Sequence, residues 1–565
     1  MARPSNLAQL LIAALAVVGC GGTPDAEGLE SGPPPNLVVV VVDTLRFDAV
    51  DLDPQGPTPA LAALAADGIA LEHSFTHAPM TLPAHASLFS SRLPHGTGLV
   101  VNGQAVPDEV ELLAEWVGGQ GYRTLAVASM ATLWERRVGE GLDQGFDEFR
   151  HVERDYTDGL ETAAAVGELL DEAGYEAREA AAAAAREPLM LFVHLADPHE
   201  PYRSFADERQ SLELTLDGTP IASADPRRAP HLGGTLELEA GEHELVYTES
   251  DADFVLRSLY LYELDDSPGI EGPGAAVETP TADGEIPAGQ LHSPDPGRRI
   301  PVVYHEGARL DSQRRVRVRF ELEQPATVAL ETWVTDHPSQ AEAARRYHAE
   351  VRLADEAVGR VLDELRARGL YDSSVILFTS DHGEAFGEHL HNGHSQNLFD
   401  ELLHVPTIVK LPAGEAFAAG RVQLAERGLE LVSHVDLAPT MLAALGLAPL
   451  PGAVGESLLG PGVTGAAGLG SQPGDPVHFA ETHQPEAARD QYCLRDAELK
   501  LIFTPDDGRF RLFDLVADPG ELEDVFATRG HEREAWQGRL REVAAGWEVG
   551  SSEGPETPDL EALGY

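Results

Sequence analysis

Leu37-Val38-Val39-Val40-Val41-Val42-Asp43-Thr44 is the stretch on which the fold turns. An unbroken β-branched run without polar alternation predicts a strand buried on both faces of a parallel sheet, and hence an α/β core. Leu189 to Leu195 and Val375 to Thr379 repeat that texture. Each run ends on chemistry: Asp43 after the first, Asp197-Pro198-His199 after the second, Asp381-His382-Gly383-Glu384 after the third. The carboxyl ends of parallel strands share one edge, where ligands bind. One Asp at such a place reads equally well as a helix cap. Three together, two of them beside a His, predict a metal site.

Around these strands the helical pattern is equally direct. Thr58-Pro59 supplies an N-cap and a first-turn Pro for a short helix that Gly68 closes. From about Gln340 to Arg368, Tyr347, Val351, Ala354, Val358, Val361, Leu362 and Leu365 share one face of a long amphipathic helix, stopped by Gly369. Between the second and third buried strands the texture changes. Stretches such as Ser211 to Leu216, Thr235 to Glu239 and Arg315 to Leu322 alternate apolar with polar residues, predicting antiparallel β-structure in a small sandwich. Residues 265–301 inside it are rich in Pro, Gly and Asp and read as a loop or linker. The α/β pattern resumes afterwards, so residues 211–335 read as an insert. It serves either as a lid or spacer, or as a module that binds a glycan or a partner.

Composition sets outer bounds. The 565 residues carry 40 Lys and Arg against 94 Asp and Glu, a net charge of −54. That field repels phosphate backbones and anionic membrane surfaces, so nucleic-acid binding through a basic face is excluded as a first reading. Leu7 to Val18 is an apolar run too short to span a bilayer comfortably, laid out like a secretory signal. Val17-Val18-Gly19-Cys20 resembles a bacterial lipoprotein processing box. The expectation is export, lipidation of Cys20, and membrane contact through that lipid anchor only, facing the periplasm or cell exterior. Cys493 is the only other cysteine, so a lipidated Cys20 leaves no intrachain disulfide.

Met80-Thr81-Leu82-Pro83-Ala84-His85 offers a nucleophile. Pro83 suits a first helical turn, which places Thr81 where free N–H groups and the dipole favour an anion. Taken alone, Thr before x-Pro is an ordinary N-cap; beside the predicted metal site it reads as an activated hydroxyl.

These residues together resemble the sulfatases, within the alkaline phosphatase superfamily. The markers are Val42-Asp43-Thr44-Leu45-Arg46, Thr81 to His85, Asp197 to Tyr202, Thr379 to Glu384, Gly387-Glu388-His389, Gly393-His394 through Pro406, His434 to Thr440, Phe510 to Leu515 and Asp518 to Glu521. The resemblance covers about Asn36 to Val525 apart from the insert. It implies an alkaline-phosphatase/sulfatase-like core sheet flanked by helices, a β-rich insert and a small C-terminal α+β subdomain. The resulting division is a lipoprotein signal peptide (1–20), a flexible tether (21–35), the catalytic core in two parts (36–210 and 336–450), the insert (211–335) and the C-terminal subdomain (451–565).

The departures from the family pattern shape the expected chemistry. Sulfatases carry Cys or Ser, matured to formylglycine, followed by x-Pro-x-Arg; here Thr81 and His85 hold those positions. The second Asp of the usual metal pair is Thr44, the usual Asp-Asn pair is Asp381-His382, and His394 replaces the usual Lys. The resemblance therefore implies one divalent metal on Asp43, Thr81, Asp381 and His382, with zinc or manganese favoured over calcium for a mixed His and carboxylate set. Asp197, His199 and His394 either complete a second metal site or bind ester oxygens and protonate the leaving group. The expected reaction is attack of Thr81 on phosphorus or sulfur, with His85 helping to stabilise the ester oxygens, then hydrolysis of the covalent ester. The substrate is a small-molecule or glycan ester, with phosphate mildly preferred because a threonine sulfate lacks formylglycine's elimination route. Two other classes compete: a catalytically degenerate surface lipoprotein that binds a glycan or partner through its insert, and a transferase moving a phospho-headgroup to an acceptor. His389 and His391 read as solvated loop residues and Asp436 as a helix cap; His434 stays undecided.

Overall fold

The computed structural model describes residues 33–133, 141–151, 158–176, 186–200, Tyr202, 340–460, 477–483 and 490–545, together with the strands of the insert. The expected signal peptide, Cys20, most of the tether, the Ala-rich run 180–185 and the linker at 265–301, the short strand Glu285–Ile286 excepted, lie outside the described residues. No helix among the described residues is long and apolar enough to cross a membrane.

A seven-stranded sheet organises the core. Its strands are β1 (Asn36–Val42), β2 (Ile69–Leu71), β3 (Arg123–Ala128), β4 (Glu148–His151), β5 (Leu189–Leu195), β6 (Ser374–Ser380) and β7 (Thr407–Lys410), in the order β2-β7-β6-β1-β5-β3-β4. β1 is central, parallel to β5 on one side and β6 on the other. The sheet is mixed, not wholly parallel: β7 runs antiparallel to β6, and the edge strand β2 antiparallel to β7.

The valine run explains its own burial. Leu37, Val39 and Val41 face α2 (Thr81–Ser90) and α5 (Leu437–Ala444). Val38, Val40 and Val42 face α1 (Pro59–Asp67), α3 (Gly159–Glu172) and α4 (Gln340–Ala367). Alternate side chains thus enter two cores, so neither face tolerates a polar residue. α4 presents the predicted apolar face to the second core, and Gly369, at φ +68°, takes the left-handed conformation beyond the helix end. Thr58 does not cap α1 through its side chain, because its hydroxyl is engaged with the backbone of Asp51. Asp355 of α4 does that work by accepting from the Ala60 and Leu61 amides.

Residues 212–336 form two five-stranded, largely antiparallel sheets. Beyond the core, β8 (His478–Thr482), β9 (Gln491–Arg495), β10 (Leu499–Thr504) and β11 (Arg509–Asp514) make a four-stranded antiparallel sheet. One face packs on α6 (Gly530–Ala545) through Trp536, Leu540 and Val543. The other meets Phe75, Leu398, Phe399 and Leu403 of the core through Ala480, Cys493, Ile502 and Phe513. Cys493 is buried and unpaired.

Candidate metal centre and active site

Register places the chemistry at one edge. Val42 lies opposite Ser380 on one side and Leu195 on the other, so the residues after β1, β5 and β6 emerge side by side. β1 delivers Asp43, β6 delivers Asp381 and His382, and β5 contributes His194 one residue before its end; all four are buried. The turn after β1 is held tightly. Thr44 sits at φ +55°, unfavourable for a β-branched residue. Its carbonyl accepts from the Tyr347 hydroxyl of α4 (2.8 Å), and its amide donates to Asp381 Oδ1 (3.1 Å).

The pocket is an excess of acceptors. Asp43 Oδ1 lies 3.8 Å from His382 Nε2, and Asp43 Oδ2 lies 3.5 Å from His194 Nε2. Asp381 Oδ2 lies 3.5 Å from His382 Nε2 and 3.6 Å from His85 Nδ1. The partners of the other ring nitrogens fix the tautomers. His382 Nδ1 faces the Gly383 carbonyl (3.0 Å) and His85 Nδ1 the Thr81 carbonyl (2.8 Å), so both donate there. Ser129 Oγ donates to the His194 carbonyl (2.8 Å) and can only accept from His194 Nδ1 (3.3 Å). Each Nε2 is therefore a bare lone pair. Both Asp43 oxygens, Asp381 Oδ2, the three Nε2 atoms and Thr44 Oγ1 are buried without a hydrogen-bond partner. An orphaned buried polar atom costs about 1–3 kcal/mol. Seven around one gap are the expected signature of a cation, and an imidazole whose far nitrogen is anchored to a carbonyl or hydroxyl is how proteins orient metal ligands.

Charge states follow the same logic. Burial alone raises the Asp43 pKa, but His199, His194 and His382 outweigh it and hold the carboxyl below its usual range. Burial, then the Asp43 charge, raises Asp381 well above its usual range. Burial pushes His85 and His382 down to about 3, so neither ring carries a charge near neutrality. His394 moves the other way: burial lowers it, but Glu384, 3.3 Å from its Nδ1, more than compensates.

Thr81 is the first residue of α2 and is buried. Its turn is tied to Asp381 through His85, and to the His394 loop by the Ser395 amide donating to the Pro79 carbonyl (2.9 Å). His394 stacks against His382, ring centroids 4.7 Å apart, and lies 5.0 Å from His199. The structure thus gathers Asp43, Thr81, His85, His199, Asp381, His382 and His394. Asp197 is turned to another task, with Oδ2 accepting from the Gly159 amide at the start of α3 (2.6 Å). His85 has no free N–H for an ester oxygen while neutral, and its unpartnered nitrogen suits a metal.

Two residues escaped the sequence reading. His194 had a signal, an imidazole inside an otherwise apolar buried strand; Glu384, partner of His394, was visible only as part of a motif. Three background expectations change. His389 is not solvated: it stacks on Phe399 at 3.5 Å and contacts Glu401 Oε1 at 2.9 Å. Asp436 makes no side-chain cap to α5; it accepts from the Ser433 and Glu456 amides. His434 is buried, with Nε2 against Thr379 Oγ1 (3.1 Å).

An α/β sheet with acidic and imidazole side chains at its carboxyl edge, capped by a helix bearing a hydroxyl, makes a candidate metal centre. The chain belongs to the sulfatase family: the family model described as Sulfatase matches residues 35–447, and that described as N-sulphoglucosamine sulphohydrolase, C-terminal, matches residues 387–543. Arylsulfatase K of Xenopus laevis is 28% identical over 203 residues, 35% of this chain and 36% of that protein. N-acetylglucosamine-6-O-sulfatase of Bacteroides thetaiotaomicron is 30% identical over 188 residues, 32% of each. The match thus spans about a third of the length of these relatives. An ulvan-active sulfatase of Formosa agariphila is 22% identical over 432 residues, 75% of this chain and 64% of that protein. The fold is shared with the phosphonate monoester hydrolase of Agrobacterium radiobacter (TM-score 0.54, 17% identity, covering 90% of this chain and 95% of that one). It is shared also with a 2-O GAG sulfatase (TM-score 0.52, 15% identity, 91% of each).

Proposed function

We propose that the chain is a metal-dependent ester hydrolase that cleaves sulfate or phosphate esters of a small molecule or glycan, with Thr81 as nucleophile. The observation that carries this reading is the ring of orphaned acceptors on Asp43, Asp381 and His382 beside the first turn of α2. Family membership and the names of the relatives above, two of which specify an amino sugar or ulvan, support an ester on a glycan. Two carboxylates with imidazoles favour zinc or manganese over calcium. A divalent ion on Asp43, Asp381, His382 and the Thr81 oxygen would supply Lewis-acid activation and charge neutralisation.

The chain's own residues do the rest. Thr81 loses its hydroxyl proton to solvent, and its Oγ1 forms a bond to phosphorus or sulfur as the bond to the leaving oxygen breaks. His394, whose pKa Glu384 raises, gives that oxygen its proton, and His199 lies within reach of the same departing group. Water then hydrolyses the Thr81 ester and restores the hydroxyl. Phosphate suits this route better, since a threonine sulfate has no elimination path.

The test is turnover of aryl sulfate, aryl phosphate monoester and aryl phosphate diester with zinc, manganese or calcium. Thr81→Ala should abolish, and Thr81→Ser preserve, whichever activity is found. Silence on all three, with ligand binding untouched by Thr81→Ala, would replace the hydrolase with a glycan-binding lipoprotein. Recovery of a headgroup on an acceptor without free acid would make it a transferase. We further propose lipidation at Cys20 and an exported location; Cys20→Ala should abolish lipid labelling, and a mutant still labelled would refute the anchor.

A further inference from the structure

We propose that the pocket holds a second divalent cation, beside the first, on His85, His194, Asp43 Oδ2 and Asp381. The proposal rests on reading Asp43, Asp381 and His382 as a metal centre and extends it. It also moves the second position away from Asp197, whose Oδ2 is committed to the Gly159 amide.

Ligand atoms that can converge on a metal fall into two sets, each mutually within 4.8 Å. One is Asp43, Asp381 and His382; the other is His85, His194 and Asp381. Asp43 divides between two histidines, with Oδ1 toward His382 (3.8 Å) and Oδ2 toward His194 (3.5 Å). A carboxylate turning one oxygen to each of two bare imidazole nitrogens has the geometry of a bridge between neighbouring ions. Metal–ligand bonds of about 2.0–2.2 Å leave adjacent ligands of one ion roughly 3–3.5 Å apart, so each of these gaps is close to what a cation spans. The second set is also oriented as ligands are. His85 is anchored by the Thr81 carbonyl and His194 by Ser129, and each leaves its Nε2 buried and without a partner. If only the first ion were bound, those two nitrogens would stay buried without a partner.

Charge gives an independent argument. Asp43 and Asp381 contribute two negative charges when ionised, and an imidazole that ligates a metal through its lone pair contributes none. One divalent ion brings the pocket to neutrality, which offers an anionic ester nothing on a chain of net charge −54. Two ions leave it at +2, matched to a phosphoester dianion. His85 then supplies through a metal the attraction for which it has no charge of its own.

The experiment is metal stoichiometry of the full-length protein, stripped with chelator, reloaded with zinc and counted by inductively coupled plasma mass spectrometry. Two zinc per chain are expected, falling to one in His194→Gln and to one in His85→Gln, with circular dichroism confirming the fold. X-ray absorption of the wild type needs no variant and should show a zinc–zinc vector of about 3.5–4 Å. One zinc per chain, or two retained in both His variants, overturns the second position and leaves the first centre standing. No zinc overturns both. Loss of turnover with two zinc retained would count against the hydrolase reading and leave this inference intact.

Discussion

Asp381→Asn should stabilise the protein in chelator and destabilise it in zinc. In the metal-free pocket Asp381 Oδ1 accepts from the amides of Thr44 and His382, whereas Oδ2 faces the lone pair of His382 Nε2 at 3.5 Å; burial and the Asp43 charge raise the Asp381 pKa, so a donor comes between them only with a proton whose uptake costs stability. Asn keeps the first oxygen and its two bonds. It replaces Oδ2 by an NH₂ group aimed at that lone pair, converting two orphans into a hydrogen bond. Relief of a buried unpaired acceptor is worth about 1–3 kcal/mol, so in chelator the variant should melt a few degrees above wild type. With zinc the order reverses. Wild type gains about 2.7 kcal/mol when free zinc is a hundredfold above its dissociation constant, and an amide is a poorer ligand than a carboxylate, so the variant gains less. Calorimetric scans of both proteins with chelator and with zinc test the sign directly. A variant less stable than wild type by the same margin in both buffers would refute the claim that Oδ2 is kept unpaired for a cation.

His394→Gln should lower kcat by about 10²–10⁴-fold on an alkyl ester and far less on a nitrophenyl ester, whose leaving group needs no proton; an equal loss on both would remove His394 as the acid. His483 sits between Glu481 Oε2 (3.0 Å) and Asp490 Oδ2 (3.2 Å), and although burial lowers its pKa, Asp490 and Glu481 raise it from 6.5 to about 9. A raised folded pKa means stability fully present below 6.5 and lost as pH rises through 9. His483→Gln should therefore cost about 2–4 kcal/mol near pH 6 and much less near pH 10 in urea titrations, and a pH-independent cost would assign the effect to packing. Lys500 is fully buried, its Nζ 2.8 Å from both Asp400 and Glu521. Lys500→Met strands Glu521, while Asp400 keeps Arg495 at 2.8 Å, and should cost about 3–5 kcal/mol, partly recovered in a double variant with Glu521→Gln; a penalty below about 1 kcal/mol would show that water reaches the pair.

The core was legible because burial on both faces writes itself as an unbroken apolar run, and the α4 face because seven residues keep helical spacing. The convergence of Asp43, Asp381 and His382 followed from the sheet rule alone. His194 did not, because it lies inside the strand and not after its end, and its approach to Asp43 depends on the β1–β5 register, with Val41 opposite His194, which no local pattern encodes. His85 was legible as a replacement for a motif Arg but not as a ring folded back onto the carbonyl four residues before it, which is a property of the helix. Thr58 and Asp436 erred by a short shift, Thr58 bonding to Asp51 seven residues before it and Asp436 closing a capping box with Ser433 on the turn before α5, whereas His389 was claimed by a neighbour in the fold, Phe399.

The same physics bears on whether the altered motif is a working centre or a relic. Thr44, Thr81, His85 and His382 all depart from the family pattern, and random drift at a disused site has one thermodynamic direction, toward paired or apolar groups that relieve the buried cost. The pocket runs against that direction. Its imidazoles bring lone pairs, and with the far nitrogen of each held by Gly383, Thr81 or Ser129, all three Nε2 atoms stay buried without a partner. Several kcal/mol of orphaned acceptors is a large fraction of what keeps a domain folded. Positive charge in its centre would relieve that cost, which is what the proposed metal supplies, and imidazole ligands in place of oxygens would shift its preference from calcium toward zinc or manganese.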